Sequence, residues 1–368
     1  MRERACTILL AAVLLLLAGT ATTANAQFGD AGAILRAGKA DANLLLRHYF
    51  APIGRGFGAG LNAGWTTSAE THGVLGFDLS VNASLASVPS VDQSFNVAAL
   101  ESEFQELEYL GGPEVSPTVA GPSESGSTIG ATFTNPRTGQ QERLFDLQMP
   151  EGTGFSMVPV PMIQGSVGIP GDTDLSVRLL PPITVQDELE VQLFGIGGKK
   201  EINSLLPAAS ALPVTLSLQA GYTQLDATVD FDVQPEVDPE TTEDPYPESD
   251  WEGQRAEFSS SGLTINALVG KDFPFVDLFG GLGWETSTVE LATPGSYPVV
   301  VENPDPDPES PAKIVEKIER PVDLSYDGAN SVRATVGATL NLFVFDISAS
   351  YTVADYPVIR GTVGFSFR

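Results

Sequence analysis

The sequence predicts an all-β fold, an antiparallel transmembrane β-barrel of about 12–14 strands with an N-terminal helix. Three observations predict it. Apolar residues alternate with small polar ones through most of the chain, which is the period of strands with one apolar and one polar face. Several alternating runs reach the length that a tilted strand needs to cross a bilayer, about nine residues or more. Beyond the N-terminal leader, no stretch offers the roughly 18 consecutive apolar residues of a membrane helix, so a membrane location requires a barrel.

The chain opens with Arg2, Glu3 and Arg4, a Leu-rich run from Ile8 to Ala18, and Ala24-Asn25-Ala26. A charged start, a short apolar stretch and an A-x-A site read as a signal peptide over residues 1–26. Cys6, the sole cysteine, falls inside it. A mature chain without cysteine is then expected, with neither disulfides nor thiolate metal sites.

Residues 27–55 hold the one helix, expected over Asp30 to Phe50. Asp30 suits an N-cap, Pro52 lies beyond the end, and Ala31, Ile34, Leu35, Gly38, Ala42, Leu45, Leu46 and Tyr49 recur at helical spacing. Arg36, Lys39 and Arg47 form its basic face, placed to pair with acids inside a barrel if the helix acts as a plug. The alternative is a periplasmic segment packed outside.

Residues 56–368 are expected to form the barrel. Alternating runs occupy Phe57 to Trp65, Leu75 to Leu85, Ile163 to Ile169, Leu175 to Leu179, Leu189 to Gly195, Val214 to Tyr222, Leu263 to Val269, Val276 to Trp284, Val332 to Leu342, Phe345 to Val353 and Ile359 to Phe367. Ile129 to Phe133 and Thr228 to Val233 are weaker candidates. Short turns before Phe275-Val276 and Val344-Phe345 lead into strands that end on Trp284 and Tyr351, and Leu212-Pro213-Val214 leads similarly to Tyr222. Short turns at one end and long loops at the other are typical of outer-membrane barrels.

The acid sits in the long loops, around 101–126, 234–257 and 299–327. Residues 226–257 carry a net charge of −11, and 299–327 and 101–114 carry −5 each, most of the formal −28. Their prolines mark them as solvated, extended loops rather than core elements. A pI near 4.2 argues against nucleic acid as a partner, since binding phosphates needs a basic face. Acidic loops suit weak cation binding at a pore mouth, and they equally suit a high-salt habitat.

Alternation also fits a soluble exported β-sandwich, periplasmic or secreted. Strand length, aromatics near run ends and small polar partners favour the barrel. So does the ending Val363-Gly364-Phe365-Ser366-Phe367-Arg368. Phe365 and Phe367 resemble the C-terminal signal by which outer-membrane barrels are handed to their assembly machinery, although Arg368 follows the final aromatic.

The runs Gly56 to Trp65 (GFGAGLNAGW), Leu75 to Ala83 (LGFDLSVNA), Val158 to Ile169 (VPVPMIQGSVGI), Thr173 to Arg178 (TDLSVR) and Phe273 to Trp284 (FPFVDLFGGLGW) resemble an uncharacterised family of Bacteroidetes-type exported proteins, a domain of unknown function. That resemblance covers most of the mature chain and implies an outer-membrane barrel embedded in lipid, with no activity or site residue to carry over. The proline-rich acidic inserts are longer than the family pattern.

Little points to chemistry. His48 and His72 are the only imidazoles and are read as a helix end and a turn, not a metal pair. No G-x-S-x-G elbow is present. Asp172-Thr173-Asp174 and Asp305 to Glu309 offer oxygens to a hard cation without the ordered spacing of an EF-hand. Gly195, Gly197 and Gly198 lack the Lys-Ser/Thr of a phosphate loop. The expectation is a non-enzymatic barrel without cofactor, catalytic residue or metal ligand. Its role is either a channel or transporter for small or hydrophobic solutes, or a structural or surface-interaction barrel presenting acidic loops.

Overall fold

A computed structural model describes residues 39–134, 139–185, 189–205, 212–230, 233–235, 241–303 and 310–367. The expected signal peptide, Asp30, Arg36 and the Asp305 to Glu309 run lie outside them. Ten strands close into a barrel. Numbered along the chain, they are β1 (Phe77–Ser87), β2 (Met157–Ile169), β3 (Thr173–Val185), β4 (Leu189–Glu201), β5 (Thr215–Asp230), β6 (Arg255–Asp272), β7 (Val276–Ala292), β8 (Asp323–Leu342), β9 (Phe345–Val353) and β10 (Val358–Phe367). Each strand pairs antiparallel with its chain neighbours, and β1 closes on β10 from Phe77↔Phe367 to Ala86↔Val358. Closure excludes the sandwich alternative, which would leave edges.

The sequence runs map onto this ring with three exceptions that bring about a dozen strands down to ten. Phe57 to Trp65 is not a strand. It lies largely within helix α1 (Lys39–Asn62), which continues through Pro52 instead of stopping at Phe50. The glycines at 54, 56, 58 and 60 mimic a period of two, but they thin two opposite sides of the helix, 54 and 58 against β7 and β8 and 56 and 60 against β2. A Cβ on Gly56 or Gly60 would stand 2.5 Å from a Val158 or Val160 methyl. Ile129 to Phe133 belongs to a side sheet, and Thr228 to Val233 starts as the upper end of β5.

Outward side chains form an apolar band. Phe77, Phe275, Phe343, Phe345, Phe365 and Phe367 are exposed at one edge, and Tyr222, Trp284 and Tyr351 at the other. Following the strand register round the tilted ring puts those three at one level. Nine residues separate Val276 from Trp284 inclusive, which at about 3.3 Å per residue and the usual tilt makes a band about 20–25 Å tall. Beyond the Tyr–Trp level the outward face of β5 to β8 turns polar, with Asp226, Glu257, Glu290 and Asp327.

The two ends differ. Residues 170–172, 273–275 and 343–344 make tight turns at the phenylalanine end, joined there by the longer 202–214 connection. The connections 88–156, 231–254 and 293–322 rise from the other end. These long connections are not simply extended, solvated loops, contrary to their composition. They contain small sheets, Glu108–Gly111 with Thr128–Thr134 and Gln141–Gln148, Ser94–Asn96 with Val115–Pro117, and Thr242–Glu243 with Lys313–Glu319 and Ser296–Glu302. Leu107, Val119, Ile129, Met149, Tyr297 and Val322 from these connections bury against Leu45 and Tyr49 of α1 in a common core. Acidic side chains on the outside of a segment hide the apolar minority that folds it.

Candidate functional site

The lumen is where the chain concentrates its unusual contacts. Helix α1 enters from the cap end. There Asp41 is buried and accepts the backbone N–H groups of Gln105, Glu106 and Leu107 at 2.9–3.0 Å, and Asn43 donates to the Pro321 carbonyl at 3.0 Å. The helix ends at Asn62 halfway down, and residues 63–76 continue to the turn end, where β1 begins. The chain is therefore threaded through its own barrel.

A helix ends with unpaired carbonyls and a partial negative charge. Two arginines from the wall meet them, and a third holds a carbonyl just beyond the helix. Arg178 on β3 donates to the Leu61 and Ala63 carbonyls, both at 2.7 Å, and its guanidinium lies 3.7 Å over the Trp65 ring. Arg333 on β8 donates to the Asn62 carbonyl at 2.7 Å and to Glu285 of β7 at 3.0 Å. Arg360 on β10 reaches the Thr66 carbonyl at 2.8 Å and also binds Asn82 of β1. They are 0%, 3% and 2% exposed. Gly64, at φ +76°, gives the turn that brings Thr66 to Arg360, and a side chain there would collide with that arginine.

Below this collar the threaded segment is clamped again. Lys199 of β4 donates to the Ser68 carbonyl at 3.1 Å, also binds the Glu70 carbonyl, and pairs with Asp174 of β3 at 3.3 Å. His72 lies between Asp174 (3.2 Å) and Asp78 (3.5 Å). Glu201 accepts from the Thr71 hydroxyl at 2.8 Å. These bonds tie residues 66–72 to several strands at once.

The residues singled out in the sequence are placed differently. Lys39 and Arg47 are exposed on α1, so the expected pairing of a basic helix with acids inside the barrel is inverted. The wall supplies the cations and the plug supplies the carbonyls. His48 stacks on Phe95 of the cap at 5.5 Å, and burial pushes its imidazole below the ordinary value. His72 sits toward the opposite end of the threaded segment. Asp174 is engaged by Lys199 and His72, which removes it as a cation ligand in the Asp172-Thr173-Asp174 turn. Among the described residues no group of three or more His, Cys, Asp or Glu is arranged to hold a metal ion. Phe365 and Phe367 are exposed on the last strand, each 6.2 Å from Phe77 by ring centroid. Sequence reading missed Arg178, Glu285, Arg333, Arg360 and Lys199. The available signal was a charge at the polar parity of a long alternating run, as in Leu175-Ser176-Val177-Arg178.

The family model for a family of unknown function, DUF6588, matches residues 1–367. The chain belongs to that family. The DUF6588 assignment thus agrees with the unknown-function family expected from the sequence, and it carries neither an activity nor a bacterial phylum. No curated protein matches the sequence. Similar solved structures include the attachment invasion locus protein of Yersinia pestis, at 9% identity and TM-score 0.24, covering 80% of this chain and 100% of that one. The outer membrane protease OmpT of Escherichia coli gives 9%, 0.27, 82% and 100%. The β domain of the Bordetella autotransporter BrkA gives 9%, 0.25, 80% and 99%.

Proposed function

We propose that this protein is an outer-membrane barrel closed by its own N-terminal segment, serving as an anchor that presents a folded acidic cap. The observation that carries this reading is the arginine collar. Three buried cations hold backbone carbonyls of the plug, and among the described residues only Arg333 has a carboxylate, Glu285, within ion-pair distance. Loosely held plugs do not need such contacts. The apolar band between two aromatic edges supports placement in lipid, and among the described residues no helix is long and apolar enough to cross a membrane. Exposed Phe365 and Phe367 suit recognition by barrel-assembly machinery. In that placement the short turns face the periplasm and the cap faces outward. Weak cation binding belongs to the cap surface, because the collar beneath presents arginines.

Two measurements test this together. The mature protein from the outer-membrane fraction should shift its gel mobility on boiling, since a closed barrel has no edge for detergent to attack. Reconstituted in planar bilayers it should remain non-conducting, and deletion of residues 39–69 should open it. Steady conductance of the unaltered protein would refute the sealed-anchor reading and favour the channel. Recovery in the soluble fraction with no mobility shift would refute the membrane reading.

A further inference from the structure

One strand of the wall stands taller than its neighbour. β8 pairs with β7 up to Ala292↔Asp323, but with β9 only up to Ala334↔Val353, where β9 ends. From Asp323 to Arg333 one edge of β8 therefore has no strand beside it. The small sheets of the cap pair among themselves and not with this edge.

Backbone parity shows which groups the edge presents. Asn341 donates to the Phe275 carbonyl at 3.0 Å, so in lower β8 the odd-numbered backbone groups face β7 and the even-numbered ones face β9. The irregularity between Thr286 and Thr288 of β7 sets one extra β8 residue there and reverses that parity above it. Asn330, Asp327, Ser325 and Asp323 therefore turn their N–H and C=O groups away from β7. The Asp323 N–H fits this direction, since it donates to the Asn43 side chain of α1 at 3.3 Å. Among the described residues the other three amides have no backbone partner, and their residues are exposed.

Charge lines the edge on both sides. Asp323 and Asp327 project outward from it and continue the acidic face of Asp226, Glu257 and Glu290 on β5 to β7. On the lumen side, Ala40, Leu44, Arg47, Ala51 and Arg55 recur at helical spacing and form an accessible stripe of α1. Ala51 and Arg55 each lie three residues before a glycine that touches β8, Gly54 and Gly58, so the stripe borders the open edge. Arg47 is exposed, and Arg55 is part-exposed beside Asp92 at 3.6 Å.

An open edge offers main-chain hydrogen bonds to an added strand, and alternate side chains then select which strand is taken. Here an incoming strand meets carboxylates on its outward face and guanidiniums on the face toward α1. A second copy of this edge is a poor occupant, because it would set Asp323 and Asp327 against the same acids.

We propose that the upper edge of β8 docks an extended segment of a partner protein as an added strand, with basic side chains outward and acidic ones toward α1. The docking site rests on the anchor reading for its setting, a cap that presents surface to partners. The probe is a fluorescent peptide of alternating Lys and Glu, about ten residues long so that it spans the edge at about 3.3 Å per residue. Its anisotropy is titrated with the detergent-solubilised mature protein, whose mobility shift on boiling is checked in the same preparation. The control is a block peptide of the same composition, all Lys before all Glu, which has the same net charge but cannot divide its charges between two faces. The alternating peptide should bind at least about tenfold more tightly than the block peptide. Ser325→Pro should abolish that preference, because proline is tolerated on an edge but removes a free N–H. Arg47→Glu should weaken the alternating peptide several-fold. Equal binding of the two peptides, binding of neither, or an unchanged preference in Ser325→Pro would each overturn the docking site, while the mobility shift keeps the barrel. A parent protein that sediments as a dimer where Ser325→Pro is a monomer would assign the edge to a second copy and overturn the partner strand. Steady conductance with selective peptide binding would instead support the docking site and refute the sealed anchor alone.

Discussion

At the scale of single residues, the collar depends on matched burial of charge. Glu285 is the carboxylate that pairs with Arg333, and both are almost fully buried. Replacing one partner of a buried pair strands the other charge away from water, at a cost of about 3–5 kcal/mol. Glu285→Ala should therefore lower the urea midpoint of the detergent-solubilised protein by about 1 M or more. An exposed acid such as Glu101 should tolerate the same change with no measurable shift. Equal midpoints for the two variants would mean that the Arg333 contact to the Asn62 carbonyl suffices alone. These residues were partly legible beforehand, because a charge at the polar parity of a strand must face the lumen if the other face meets lipid. What the lumen holds opposite that charge was not legible, since the partners are backbone carbonyls of a segment more than 100 residues away in sequence.

At the scale of elements, α1 shows how two periods can be confused. Gly-x-Gly-x-Gly reads as a strand with a small face, yet here the glycines flank a helix pressed against β2 and β7. The deciding information is tertiary, because only a wall at van der Waals distance makes a glycine-rich helix worth its weak propensity. Pro52 misled in the same way, since a proline inside a helix is tolerated when packing outweighs one missing hydrogen bond. Gly60→Leu tests the fit. Its side chain would enter the space of Val160, and overpacking of this kind costs about 1–3 kcal/mol. The plug should then seat incompletely, giving flickering conductance in planar bilayers where the unaltered protein is silent. A variant as quiet as the parent would show that α1 shifts bodily to absorb the change. The cap was hidden from sequence reading for a related reason, since isolated aromatic residues such as Phe95 and Tyr297 gain meaning only when they join Leu45 and Tyr49 of α1 in one core.

At the scale of the whole molecule, the threaded path fixes the sidedness of the N-terminal segment. Strand β1 starts at the turn end, as the hairpin pattern predicts, but the residues before it do not remain there. They run back up the lumen to the cap, so Lys39 lies on the same side as the long acidic connections. The collar, the clamp at Lys199 and His72, and the glycine contacts on Val158 and Val160 all hold this direction, and reversing it would separate every one of them. Single cysteines read it out, given that the only native cysteine lies in the expected leader. On intact cells an impermeant maleimide should label Lys39→Cys and Glu101→Cys alike, while Phe343→Cys in the 343–344 turn should react only after lysis. Labelling of Phe343→Cys but not Glu101→Cys on intact cells would invert the barrel in the membrane and still keep Lys39 with the cap. Labelling that groups Lys39 with Phe343 would instead break the threading itself, because no barrel with α1 in its lumen puts those two positions on one side.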